Sequence, residues 1–374
     1  MPLHINSKEF KELLKSFTRL SRVSSNTIAP ITFTFEPFSA SMMTEHAFIV
    51  SKPTVSILPP INEYTFNPEI LIDLALTDGD VELHWMDGNS ALNIKNNFLR
   101  TALRVAAPTP EFIDIPENMT AIEIPIGLLH AVEKFISVPY IFLGTKKELI
   151  PIWFRKNAKG NLEISADDSC SLARINTNIP VKLKTLDIKI PRYVIETLYS
   201  KGDLNDVTPV RMGIQGMKAL LANKNTQIYL AGMEEEMVSF DSVLKDFKPM
   251  VSCDFVPRKV SDAIKPLVSI LPKKDKGSIL VVSVDSKKMS MDILHQDIGE
   301  GIIEFVEGIS NIYLENSAKL ATINMVPQIF QEHTELLNVP QANMSANNRL
   351  VYYKGGCNIG DFVIDVEYIF PTAC

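Results

Sequence analysis

A chain of 374 residues, 46% apolar and 22% charged, has enough core for two or three soluble domains and needs no covalent staples. Its cysteines, Cys170, Cys253, Cys357 and Cys374, stand far apart without a CxxC pair, which argues against a disulfide framework and a zinc site and fits a reducing cytoplasm. A net charge of −7 disfavours nucleic-acid binding unless the cations are gathered on one face. The N-terminus MPLHINSKEF lacks a signal-peptide core, and no run approaches the roughly 18 apolar residues of a membrane span.

Along the chain one phrase recurs six times, starting near Leu3, Tyr64, Ile122, Leu186, Ser252 and Ala321, with gaps of about sixty residues. Each copy alternates apolar and polar residues, passes a Ser, Asn or Pro, and then changes from period two to period 3.6 (LHINSKEFKELLKSF is the first). Repetition of this kind predicts six strand–helix units, paired into three domains. In the first unit Ser7 is the expected N-cap, and Lys8–Arg22 is the expected helix. Its stripe Phe10, Leu13, Leu14, Phe17 and Leu20 faces a core. Lys8, Lys11, Lys15, Arg19 and Arg22 fall in a narrow arc on the opposite face, without an acid among them. A merely solvated helix face usually mixes signs.

The second helix exposes Glu69 and Asp73. The third, Ile126–Ser137, shows His130 and Lys134; the fourth offers Arg192 and Lys201. The fifth, from Pro257, exposes Arg258, Asp262 and Lys265, and Pro266 is expected to end or kink it. The sixth exposes Gln328, Gln331 and Glu335. Short alternating runs between the helices read as strands, among them Ile31–Phe35, Val81–Trp85, Trp153–Arg155, Leu162–Ser165, Thr226–Ala231, Ser278–Val284, Ile312–Glu315 and Phe362–Ile369. Asp87-Gly88 and Lys159-Gly160 mark hairpin turns. Pro-rich connectors at Ala107–Pro116 and Phe247–Pro249 place boundaries near 118 and 250. The expected domains are therefore 1–118, 119–250 and 251–374, each with two helices packed on antiparallel sheet, an α+β fold.

Catalytic patterns are missing. The sequence has no GxxxxGK[ST], HExxH, GxGxxG or GxSxG, and its histidines lack metal-ligand spacing. Cys170 beside Asp167 and Asp168 is the one conceivable nucleophile, but neighbouring carboxylates raise a thiol pKa, the wrong direction for activation. No enzyme activity, metal or cofactor is expected.

Three domains of paired strand–helix units at this length resemble the bacterial DNA polymerase III beta subunit, the replicative sliding clamp. LEISADDSCSLARI (162–175) is similar to that family's strand ending in an Ala-Thr-Asp-Gly-like turn and then Leu-Ala. FDSVLKDFKP (240–249) is similar to its Phe-Pro-x-Tyr stretch, with Asp241 and Val243 in place of Pro and Tyr. The tail VEYIFPTAC resembles its final apolar strand and Met-Pro, here Phe370-Pro371. The loose match suits a phage-encoded member acting in the bacterial cytoplasm of an infected host.

The resemblance implies three similar clamp domains, closed into a ring as a head-to-tail homodimer. Helices would line a bore around double-stranded DNA, which they hold without reading sequence. The DNA-facing residues would be Lys8, Lys11, Lys15, Arg19, Arg22, Lys134, Arg192, Lys201, Arg258 and Lys265. At the dimer interface Thr101 and Leu103 would face Ile270 and Leu271. A DNA polymerase and a clamp loader are the implied partners, held in an apolar peptide groove. Asp167, Ser169, Cys170, Ser171 and Leu172 would supply one wall, and Val243, Leu244 and Phe247 a second. Tyr368, Ile369, Phe370, Pro371 and Thr372 would complete it. Two other readings compete: a clamp-like ring adaptor for transcription or for sequestering host replication proteins, and a hydrolase using Cys170 or Asp168.

The cationic arc separates the first two readings. Replacing Lys11, Lys15 and Arg19 with Glu leaves dimerisation intact and lowers DNA-dependent polymerase stimulation; unchanged stimulation in a primer-extension assay would refute the inward placement of that arc.

Overall fold

The computed structural model describes residues 3–11, 14, 17, 31–35, 38–43, 47–51, 64–66, 80–85, 91–95, 100–104, 120–130, 151–167, 171–196, 209–216, 218–222, 226–233, 236–271, 278–295, 299–304, 306–337, 339–359 and 361–373. It divides into two compact units, Met1–His130 with Lys182–Glu234, and Ala131–Val181 with Glu235–Cys374.

In the first unit the strands Leu3–Asn6, Asp80–Trp85, Ala91–Lys95 and Arg100–Arg104 follow one another in a four-stranded sheet. A second sheet takes the order Tyr64–Phe66, Ile31–Phe35, Phe38–Met43, Ala47–Ser51, Thr226–Ala231, Lys218–Ala222, Pro209–Gln215, Thr120–Pro125. In the second unit eight strands run Pro151–Lys156, Asn161–Asp167, Leu172–Pro180, Phe362–Pro371, Leu350–Ile359, Ala342–Ala346, Val251–Phe255, Ile309–Leu314. Its four-stranded sheet runs Gly299–Ile303, Met289–His295, Ile279–Asp285, Leu320–Met325.

Pairing follows a rule. Among the described residues each repeat has a leading strand and a meander of three strands, and its leading strand leaves its own meander. Leu3–Asn6 pairs with Asp80–Trp85 of the second repeat, and Tyr64–Phe66 returns to Ile31–Phe35 of the first. Val251–Phe255 pairs with Ala342–Ala346, and Leu320–Met325 with Ile279–Asp285, the same exchange between the fifth and sixth repeats. Thr120–Pro125 lies on Pro209–Gln215 of the fourth. The third meander strands join one pair of repeats to the next: Ala47–Ser51 with Thr226–Ala231, and Leu172–Pro180 with Phe362–Pro371. All of these pairs are antiparallel.

Helix starts follow local chemistry. Ser7 is already helical and buried, and the Asn6 side chain accepts from the Lys8 N–H at 2.9 Å, so the cap lies one residue before the expected Ser7. Phe10, Leu14 and Phe17 are fully buried, as their spacing predicts. The helices Pro257–Ser269 and Pro327–Leu336 each open on a proline at the first turn, where a missing N–H costs nothing. Pro266 does not end the first of these; the helix runs on to Ser269, whose hydroxyl donates to the Pro266 carbonyl at 2.7 Å. At the Lys159-Gly160 turn Gly160 takes a φ of +86° and its N–H donates to Asn157 at 2.9 Å, closing the expected hairpin. The Asp87-Gly88 turn, the helix predicted after Tyr64 and the distal parts of the first and third helices lie outside the described residues.

In the second unit Phe255, Phe330, Tyr353 and Phe370 form an aromatic core, with ring centroids 5.0–6.3 Å apart. His333 is enclosed with them, stacked on Phe370 at 4.3 Å and edge-on to Tyr368 at 5.7 Å. Its Nδ1 meets the Ile329 carbonyl at 2.9 Å, while Nε2 has no hydrogen-bond partner. Burial, opposed by the bond to Ile329, pulls its pKa down from 6.5 to about 4. Below pH 6.5 the unfolded chain takes up a proton that the folded chain refuses until about pH 4. Stability is therefore complete above that window and falls by roughly 3 kcal/mol as pH drops through it. Urea denaturation at pH 7 and pH 4.5 measures the fall, and His333→Met removes this part of it.

Candidate partner-binding groove

The strand Phe362–Pro371 has two buried faces near its end. Ile364, Val366, Tyr368 and Phe370 point toward the helix-covered core. On the other face Ile369 pairs across strands with Leu172 and with Tyr352, one row of a sheet face. A connector lies over that row. Phe240–Leu244 forms a short helix, and Phe240, Val243, Leu244 and Phe247 recur at helical spacing. Phe240 is buried against Leu172 and Ile369, and Val243, Leu244, Leu350 and Tyr352 pack around them half-buried. The rings of Phe240 and Phe247 each meet Tyr352 edge-on at 6.3 Å.

One row along, the same face carries charge. Arg174 pairs across strands with Glu367 and donates from Nε to it at 2.7 Å. Its Nη1 reaches Asp241 of the connector at 2.5 Å, and its guanidinium lies 4.3 Å from the Phe240 ring centroid. Glu367 also accepts from Asn176 at 2.9 Å and from the Tyr352 hydroxyl. Burial alone would lower the Arg174 pKa, but the bonds and charges of Glu367 and Asp241 outweigh it and raise it. Burial, with the bond to Glu367, raises the Tyr352 phenol. Next along, Arg155 donates from Nε to buried Glu163, lies 4.6 Å from the Trp153 ring centroid, and has Nη2 3.7 Å from Asp241.

Of the anticipated groove residues, the structure brings together Leu172, Val243, Leu244, Phe247 and Ile369. Asp167 accepts from the Val238 N–H at 2.9 Å, tying the end of the strand Asn161–Asp167 to the connector. Ser171 and Leu172 are buried and Pro371 half-buried. Thr372 is buried, its hydroxyl donating to Asn348 at 2.8 Å. Tyr368 and Phe370 face the core side of the strand, because side chains alternate and Ile369 holds the groove side. Ser169 and Cys170, with Asp168, lie outside the described residues. Sequence reasoning missed Phe240, Tyr352 and the Arg174–Glu367 pair. Phe240 shares the stripe of Val243, Leu244 and Phe247 and was open to detection. The charged pair joins residues 193 positions apart and carries no local signal.

Of the anticipated DNA contacts, Lys8 is exposed and Lys11 half-buried. Arg258 and Lys265 are exposed on one face of their helix, Arg258 lying 3.8 Å from Asp262. Arg192 is half-buried at the start of the helix Arg192–Glu196. Lys15, Arg19, Arg22, Lys134 and Lys201 lie outside the described residues. At the anticipated interface Thr101 and Leu103 pair with Ile94 and Leu92. Ile270 is 55% exposed but Leu271 only 7%, so Ile270 alone of that pair faces outward.

Among the described residues no group of three or more His, Cys, Asp or Glu could hold a metal, and no helix is long and apolar enough to cross a membrane. Burial, reinforced by Asp254, pushes the Cys253 thiol up to about 12, far from a nucleophile's range.

No protein-family model and no curated protein matches the chain. Solved structures match its fold from end to end. The DNA polymerase sliding clamp of Bacillus subtilis is 16% identical, with a TM-score of 0.80 over 100% of this chain and 99% of that one. The DNA polymerase III beta subunit of Thermotoga maritima is 13% identical, with a TM-score of 0.77 over 100% and 99%. The Helicobacter pylori beta clamp, solved with 3,4-difluorobenzamide, is 14% identical, with a TM-score of 0.76 over 100% of both. The chain has the beta-clamp fold.

The buried ion pair yields a test of the groove floor. Arg174→Met leaves Glu367 buried without its cation and destabilises the second unit by roughly 3 kcal/mol. Adding Glu367→Leu restores most of that loss, because removing both charges spares the desolvation cost. Urea denaturation of the two single variants and the double variant measures the coupling.

Proposed function

We propose that this protein is a DNA polymerase processivity factor, a non-enzymatic sliding clamp that closes around duplex DNA as a homodimer. The observation that carries the reading is the clamp fold over the whole chain. The strand exchange supports division into domains 1–118, 119–250 and 251–374, because the leading strands of the first and second repeats, and of the fifth and sixth, trade places.

The pairing rule also supports head-to-tail closure. Third meander strands join neighbouring pairs of repeats, and among the described residues Arg100–Arg104 and Gly299–Ile303 are the third strands left at sheet ends. Ile270, Leu294 and Ile302 are 50–56% exposed at or beside the second of these edges. A shallow pocket there, between the helix end and the strand, is lined by Leu267, Ile270, Leu271, Ile293 and Gly301. Joining the two edges between subunits continues both sheets and removes both open edges.

Lys8, Lys11, Arg258 and Lys265, with the remaining anticipated cations, then serve as non-specific phosphate contacts. The Leu172–Ile369 groove serves as the docking site for a polymerase and a loader. The low identity to bacterial clamps supports a divergent member; phage encoding and work in the bacterial cytoplasm complete the proposal.

Light scattering tests the assembly: the wild-type particle has the mass of two chains, and Leu103→Asp with Ile270→Asp has the mass of one. With the loading enzymes of its own cell, the wild-type chain is retained on nicked circular plasmid and released when the plasmid is linearised. A one-chain mass for the wild type, or retention on linear DNA, refutes the encircling reading.

A further inference from the structure

The groove carries, beside its apolar floor, an arrangement for which the apolar cluster alone has no use. Arg174 and Arg155 are each held through Nε by a buried glutamate, Glu367 and Glu163, at 4% and 3% exposure. That anchoring fixes both guanidinium planes and turns their free ends toward one place. Asp241 of the connector occupies it, with Oδ1 2.5 Å from Arg174 Nη1 and Oδ2 3.7 Å from Arg155 Nη2. The Asp241 side chain is itself 69% exposed. Exposed ion pairs hold weakly, whereas the glutamate anchors beneath are enclosed.

We propose that Arg155 and Arg174 form a carboxylate-reading site at the rim of the groove, occupied in cis by Asp241 and taken over by an Asp or Glu of a partner segment. The inference rests on reading this face as a partner groove, and names the chemistry of the segment it accepts. Phe240, next to Asp241, lies under Arg174 and against Leu172 and Ile369, so the chain's own Phe-Asp pair shows what fits. The accepted segment presents an apolar or aromatic side chain followed by a carboxylate. Two anchored arginines recognise a carboxylate by geometry as well as charge. A neutral isostere leaves those donors unpaired, which is the basis of discrimination.

The full-length chain carrying Phe240→Ala and Asp241→Ala vacates the site. The probes are two end-blocked synthetic peptides, one copying residues 238–244 (VSFDSVL) and one with Asn in place of its Asp. Fluorescence anisotropy is expected to show the Asp peptide bound about tenfold more tightly by the double variant. The preference fades in high salt and falls when Arg155→Met is added. The wild type binds the Asp peptide more weakly than the double variant does, because its own Asp241 competes. Thermal melts confirm that each variant is folded. Equal binding of the two peptides, or a preference indifferent to salt and to Arg155→Met, overturns the two-arginine site and leaves the apolar groove standing. Binding of neither peptide overturns both.

Discussion

Antiparallel pairing between the leading strand of one repeat and the first meander strand of its partner is what the rest of this fold depends on. A lone repeat has a meander with an unfilled edge and a leading strand with nowhere to pair. Two repeats fill each other's edges, as Leu3–Asn6 and Tyr64–Phe66 do, and as Val251–Phe255 and Leu320–Met325 do. Backbone groups in a sheet must be paired or wetted. The exchange therefore makes the pair of repeats the smallest self-sufficient piece, and the third strands become the joints between pairs. The helices add burial to this frame, and it fixes where each of them lies.

The joint between Leu172–Pro180 and Phe362–Pro371 shows how a doubly buried strand arises from such a frame. A sheet covered by helices on one side ordinarily turns a wet face outward. Here the connector 236–250 lies across part of the outer face, so residues alternating away from the core are buried too. Polar residues that a wet face would carry become enclosed, and they persist only because each has partners. Arg174 is enclosed by Glu367, Asp241 and the Phe240 ring, and Glu367 by Arg174, Asn176 and Tyr352. The result is an apolar strip bordered by charges that cannot reorient.

Much of the architecture was legible in the sequence because it is written locally. The six leading strands and the stripe Phe10, Leu14, Phe17 follow from period alone. The predicted Ile31–Phe35 and Thr226–Ala231 match the observed strands end for end. Strands such as Pro209–Gln215 and Lys218–Ala222 escaped notice because Gly213, Gly216 and the flanking lysine blur their alternation. Pro266 misled for a related reason: its penalty is real, but packing of Val260 and Ile264 into the core sustains the helix past it. The groove was half legible. Its apolar members sit in recognisable segments, while the face each occupies depends on register, and a one-residue difference sends Tyr368 inward and Ile369 outward.

That alternation ties the groove to the core beneath it. Glu367 and Ile369 lie on the face that the connector covers, and Tyr368 and Phe370, their immediate neighbours, enclose His333 of the helix Pro327–Leu336. A strand cannot move one face without the other. Charging His333 inside its aromatic cage would push on the backbone that positions Glu367, and through it the Arg174 guanidinium. The Tyr368 hydroxyl and His333 Nε2 both lack hydrogen-bond partners in that cage, so little polar compensation meets an added charge. Groove geometry and core integrity are thus one mechanical property of the strand Phe362–Pro371. A change in the shape of the connector-covered face can arise from a residue that does not line it.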